Sequence, residues 1–203
     1  MRGWLFIGLS FALEIVSLSV MALRAPEMLN QRGTQHHGVK SFDRVFAAMW
    51  LLASVASAVA TGLDWQHGWS RAIAAQCGLS AYSGGACDAG IAVLFLAFGL
   101  GLWAMLANPH FEQFVRIQTD RLHGVVASGP YRIVRHPGYV AAILGNIAAP
   151  LILGSWLAAM AAAVVIALFW VRTLLEDRTL MAELADYADY ARVTRYRLLP
   201  CVW

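Results

Sequence analysis

Residues 137–171 read PGYVAAILGNIAAPLILGSWLAAMAAAVVIALFWV, a stretch in which no side chain carries a formal charge. One helix needs about 20 apolar residues to cross a bilayer core, so this run is long enough for two short passes. Pro150 followed by Gly154-Ser155 supplies the break, because proline removes a backbone donor and glycine accepts turn geometry. A tight helical hairpin is expected here rather than one very long helix.

Working towards the amino terminus, three further windows qualify. Gly3–Leu23 is interrupted only by Glu14, while Val45–Leu63 and Ala89–Phe111 hold no carboxylate, arginine or lysine. Hydrophobic residues make up 60% of the 203 residues and charged residues 13%, a balance foreign to a soluble domain of this length. The expected fold is therefore all-α and polytopic, with about five transmembrane helices in a single membrane domain over residues 1–203. The first helix is longer than a signal-peptide core, carries Glu14 near its middle and has no clear cleavage site after Leu23; it is read as retained.

Basic residues set the expected orientation. Arg24, Arg32, Lys40 and Arg44 fall between the first two windows; Arg116, Arg121, Arg132 and Arg135 precede the hairpin; Arg172, Arg178, Arg192, Arg195 and Arg197 follow it. The loop 64–88 holds only Arg71. The positive-inside rule makes the three basic segments cytoplasmic and puts the amino terminus and loop 64–88 outside. An odd number of passes follows, with the carboxyl terminus cytoplasmic and an inner membrane of bacterial type as the expected location. The net charge of +3 is spent on topology and interfacial anchoring, and nucleic acid is not an expected partner. Cys77 and Cys87 share the outer loop, where Gly and Ser permit closure of a disulfide; the alternative is two unpaired thiols at helix ends.

Cofactor signatures of soluble enzymes are absent: no Gly-x-Gly-x-x-Gly after a strand, no Gly-Lys-Ser/Thr, no His-Glu-x-x-His. His36-His37 are adjacent, point to different faces and have no third ligand type nearby, so no metal site is expected. The segment Gly129-Pro-Tyr-Arg-Ile-Val-Arg-His-Pro-Gly-Tyr139 is different. Two prolines fix backbone angles, glycines permit close approach, and Tyr131, His136 and Tyr139 offer rings with polar edges at the membrane boundary. Such a segment can wrap an aromatic heterocycle, or anchor the chain at the headgroups. On the helix continuing past Val171, Arg172 and Glu176 are four apart and share a face, either as part of a pocket or as an ordinary ion pair.

Gly129-Pro-Tyr-x3-Arg-His-Pro-x-Tyr139, with His123-Gly-Val-Val126 upstream, Glu176-Asp177 beyond and Tyr187-x2-Tyr190-x5-Tyr196-Arg-Leu-Leu-Pro200 at the end, resembles the isoprenylcysteine carboxyl methyltransferase family and related phospholipid methyltransferases. The resemblance covers roughly residues 103–203, leaving 1–102 as less family-like helices and outer loop. It implies S-adenosylmethionine as cofactor, bound at the cytoplasmic ends of the last helices. Carried over by position, His123, Gly124, Val125, Val126, Tyr131, His136, Pro137, Gly138, Tyr139 and Glu176 would contact the cofactor. Arg172 would meet the carboxylate of a prenylcysteine-like substrate, and Arg172 with Glu176 would form the catalytic pair. A gap-free match puts Arg116 where the family tends to have a cofactor-contacting glutamine, and Arg116 is left out of the expected site.

These assignments fit elementary chemistry. A carboxylate suits a cofactor carrying an ammonium and a sulfonium, aromatic walls suit adenine, and arginine grips a carboxylate through a planar fork. A carboxylate acceptor is already ionised and needs no general base. The expected activity is methyl transfer to a lipophilic acceptor entering from the bilayer, preferably carboxyl O-methylation. The alternatives are N-methylation of a phospholipid amine, a sterol-type reduction with NADPH, and a non-enzymatic membrane scaffold or transporter subunit.

Overall fold

Without water to bond, backbone amides in a bilayer must be satisfied within the chain, and long apolar runs become helices. The computed structural model describes residues 2–32, 38–77, 84–112, 114–116 and 124–203; it is all-helical, with no strand among the described residues. His123, Arg121 and the His36-His37 pair lie outside the described residues.

Helices α1 (Arg2–Arg24), α3 (Ser41–His67), α5 (Gly84–Ala107) and α7 (Trp156–Glu183) are long and apolar enough to cross a membrane. The fifth expected helix, α6 (Pro137–Leu153), is shorter. Its 17 residues span roughly 26 Å at about 1.5 Å each, slightly less than a hydrocarbon core of about 30 Å. Short helices α2 (Pro26–Arg32), α4 (Trp69–Gln76) and α8 (Tyr187–Val193) and a 3-10 turn at Gly129–Arg132 connect or follow these. Phe11 on α1, Leu52 on α3 and Phe95 on α5 are all exposed, an outward apolar surface that suits acyl chains and not water. The protein is an integral membrane protein.

Between α6 and α7 the turn falls at Gly154, whose φ of 66° is in the left-handed region and whose N–H donates to the Pro150 carbonyl at 2.8 Å. Pro150 itself lies inside α6, which continues to Leu153. Ser155 then caps α7 by accepting from the Ala158 N–H at 3.1 Å. The Ser155 hydroxyl also donates to Asp64 near the end of α3. Asp64 accepts in addition from the Ser70 N–H (2.8 Å) and hydroxyl (2.6 Å) of α4, and the Trp156 N–H donates to Ser70 Oγ at 2.8 Å. A buried carboxylate so surrounded ties the α3–α4 corner to the hairpin turn.

The other end of the bundle gathers the arginine-rich segments. The Lys40 N–H donates to the Val115 carbonyl (3.1 Å), the Lys40 ammonium pairs with Glu183 of α7 (2.7 Å), and the N–H groups of Arg135 and His136 donate to the carbonyls of Tyr196 and Arg197 at 2.9 and 3.0 Å. Cys77 is exposed and Cys87 buried against Leu94, Ala148 and Ile152; both are free thiols.

Helices α5 and α6 are in close contact at Gly90. A Cβ there would lie 2.8 Å from Ile152 Cγ1 and Leu151 Cβ and 2.9 Å from the Ile152 backbone nitrogen. Contact with backbone cannot be relieved by a rotamer change, so the helices would have to separate. Gly90→Ala is therefore expected to destabilise the protein by about 1–3 kcal/mol, read as a lowered thermal midpoint in detergent. Gly99→Ala, in open space on the same helix, is expected to leave the midpoint unchanged.

Candidate active site

The site begins with a chain that cannot relax. Gly129 has a φ of 57°, and a Cβ there would meet Trp103 Nε1 and Ala107 at 3.1 Å, so the 3-10 turn sits directly on α5. The turn buries Tyr131, whose carbonyl accepts from the Tyr190 hydroxyl at 2.7 Å. Six residues after Tyr131, Pro137 opens α6, at a position where its missing N–H has no helical partner to lose. Gly138 follows, and a Cβ on it would come within 2.8 Å of the Phe111 ring.

Asp177 on α7 organises the side chains behind this segment. Its carboxylate pairs with Arg135 (3.1 Å) and Arg197 (2.8 Å), lies 3.4 Å from His136 Nε2 and accepts from the Tyr187 hydroxyl at 2.9 Å. His136 in turn stacks on Tyr139, with ring planes 2° apart and centroids 5.5 Å apart. The Tyr139 hydroxyl donates to Glu176.

These groups border one cavity. Gly124, Val125, Val126, Tyr131, His136, Pro137, Gly138, Tyr139 and Glu176 all line it. Of the expected cofactor contacts, only His123 is outside this set, and it lies outside the described residues. The expectation for Arg172 meets a different environment. Arg172 does not line the cavity; its guanidinium pairs with Asp43 of α3, Nε to Oδ1 at 2.8 Å and Nη2 to Oδ2 at 3.2 Å, and lies over the rings of Phe46 (4.4 Å) and Tyr139 (5.1 Å). The four-residue spacing does bring Arg172 and Glu176 to the same side of α7, both beside Tyr139.

Sequence reasoning passed over several lining residues. Glu112 and Arg116 form a buried pair with two contacts, 2.7 and 2.8 Å, and both face the cavity. Their i,i+4 spacing was the available signal, masked by the departure from the family pattern at Arg116. Asn108 donates to the Tyr131 hydroxyl at 3.4 Å and accepts from the His110 N–H at 2.9 Å; both residues line the cavity at the end of an apolar run that carried no other mark. Asp43, in the first turn of α3, carried no mark in the sequence.

Residues 87–185 match the sequence pattern of the phospholipid methyltransferase family. Over those residues the chain is similar to the membrane methyltransferase group that also contains the isoprenylcysteine carboxyl enzymes. No curated protein matches the chain significantly. That match implies membrane methyl transfer to a lipid-like substrate, and the residues before 87 contribute elements outside it.

Burial pushes the phenols of Tyr131 and Tyr187 well above their ordinary range and that of Tyr190 up to about 12, from 10.0. All three therefore remain hydrogen-bond donors at physiological pH. The unfolded chain releases these protons first as pH rises, so the stability they contribute is fully present below pH 10.0 and lost as pH climbs through about 12. Thermal midpoints are expected to be flat with respect to these groups up to about pH 10 and to fall above it. The fall should be shallower in Tyr190→Phe; an identical alkaline profile in that variant would contradict the assignment.

Proposed function

We propose that the protein transfers a methyl group from S-adenosylmethionine to the amine of a membrane lipid, with the donor held in the cavity bounded by Tyr131, Tyr139 and Glu176. One observation supports this above all: residues from four separated stretches, 124–126, 131, 136–139 and 176, converge on a single cavity with aromatic walls and a carboxylate. The rings of Phe111, Tyr131, Tyr187 and Tyr190 suit a purine, and Gly138 lets the Phe111 ring pack against the start of α6. Glu176, oriented by the Tyr139 hydroxyl, offers negative charge to a sulfonium and an ammonium in partly dry surroundings. When bound, the donor supplies an electrophilic methyl group on positively charged sulfur. The chain contributes alignment and the exclusion of water.

An amine acceptor suits carboxylates on the lining, which attract its ammonium form and can take the proton it must lose before its lone pair attacks the methyl carbon. Glu112 and Glu176 are the carboxylates on the lining, and Arg172 is engaged by Asp43. Carboxyl O-methylation of a prenylcysteine-like substrate is the second reading, favoured by the position of Arg172 next to Tyr139; it requires Arg172 to exchange Asp43 for the substrate. The arginine-rich segments gathered around the cavity end support a cytoplasmic site in an inner membrane of bacterial type, with the lipid entering from the bilayer.

Two measurements test this. Glu176→Gln keeps the shape and removes the charge, and is expected to weaken S-adenosylhomocysteine binding by calorimetry ten-fold or more, about 1.4 kcal/mol per decade. An unchanged dissociation constant would move the donor elsewhere. The acceptor is decided by protein in vesicles with methyl-labelled donor, supplied with both an aminophospholipid and a prenylcysteine analogue. Alkali-stable label in the phospholipid is expected. Label released by mild alkali as methanol marks an ester and selects the second reading.

A further inference from the structure

The cavity has a wall that the family-matched region does not secure by itself. Phe114, Val115 and Arg116 line it, and Val115 is held through both of its backbone groups by the start of α3. Its carbonyl accepts from the Lys40 N–H at 3.1 Å, and its N–H donates to Asp43 Oδ2 at 2.7 Å. Asp43 is completely buried, and the same carboxylate carries the ion pair to Arg172, one helical turn before Glu176. A carboxylate with two oxygens can serve a cation and an amide at once, which few other side chains can do. The result is a three-way junction of α3, the 114–116 wall and α7.

We propose that Asp43, from outside the family match, is a positioning residue that fixes the 114–116 wall against α7 and so keeps the donor cavity in its binding-competent shape. The inference rests on the donor reading above. Loosening the wall lowers the fraction of molecules able to bind, and the apparent affinity falls by that fraction. The essential element is acceptance of the Val115 N–H; the ion pair alone does not supply it.

The charge-swapped protein Asp43→Arg/Arg172→Asp separates these two parts, since arginine can pair with aspartate but cannot accept a hydrogen bond. Relative to the single Asp43→Arg variant, the swap is expected to recover most of the thermal midpoint. Hydrogen exchange at the Val115 amide should nevertheless be at least ten-fold faster than in the parent, and S-adenosylhomocysteine should bind at least ten-fold more weakly. Equal exchange at Val115 in parent and swap, or fast exchange with unchanged affinity, would overturn the proposal. Asp43→Asn provides the converse arm, and also the decisive one if the swap does not fold. Its side-chain carbonyl still accepts from Val115, so a lowered midpoint with affinity within about three-fold of the parent is expected. Ten-fold weaker binding with Val115 still protected would refute the role assigned to the amide bond. A parent protein that binds no S-adenosylhomocysteine would remove the donor reading, while the exchange comparison would still decide whether Asp43 holds the wall.

Discussion

The cavity end of this molecule depends on one buried carboxylate. Asp177 is nearly devoid of solvent and is surrounded by Arg135, His136, Arg197 and the Tyr187 hydroxyl, contributed by the segment before α6, the stretch after α8 and α8 itself. A charge in such a place is tolerated only when donors enclose it, and removing any one of them leaves the others exposed to an unbalanced field. That requirement lays the 196–197 backbone along Arg135 and His136, orients the His136 ring, and through the ring stack sets Tyr139 beside Glu176. Glu176 and Asp177 are neighbours on α7 with opposite tasks: one faces the cavity, the other anchors what surrounds it.

The same device appears twice more. Asp43 joins α3 to α7 and to the 114–116 wall, and Asp64 joins the far end of α3 to α4 and the hairpin turn. Helices in lipid gain little from burying apolar surface against one another, because acyl chains solvate that surface equally well. Close packing at Gly90, the Phe46–Phe169 edge contact at 5.2 Å and these satisfied carboxylates carry the specificity of assembly instead.

Such an arrangement suits methyl transfer. The chemistry asks for a small dry chamber in which methyl donor and acceptor are brought into line. Here the walls are the ends of membrane helices, with Tyr139 in the first turn of α6 and Glu176 about two turns before the end of α7.

Much of this was legible in the primary structure. The uncharged runs determined the helices, Gly154-Ser155 the turn between the last two, and the spaced Gly-Pro-Tyr, Arg-His-Pro-x-Tyr and Glu-Asp blocks the lining of the cavity, because periodicity, turn chemistry and local motifs are properties of short segments. The partners of the buried charges were not legible. Arg172 read as a residue awaiting a substrate, and nothing local pointed to Asp43, 129 positions away; Arg116 was left out of the expected site and lies buried with Glu112 on the cavity wall. Only the tertiary structure decided these, since which carboxylate neutralises which guanidinium depends on how the helices pack side by side, and a sequence of apolar faces that lipid solvates equally well leaves that packing unspecified.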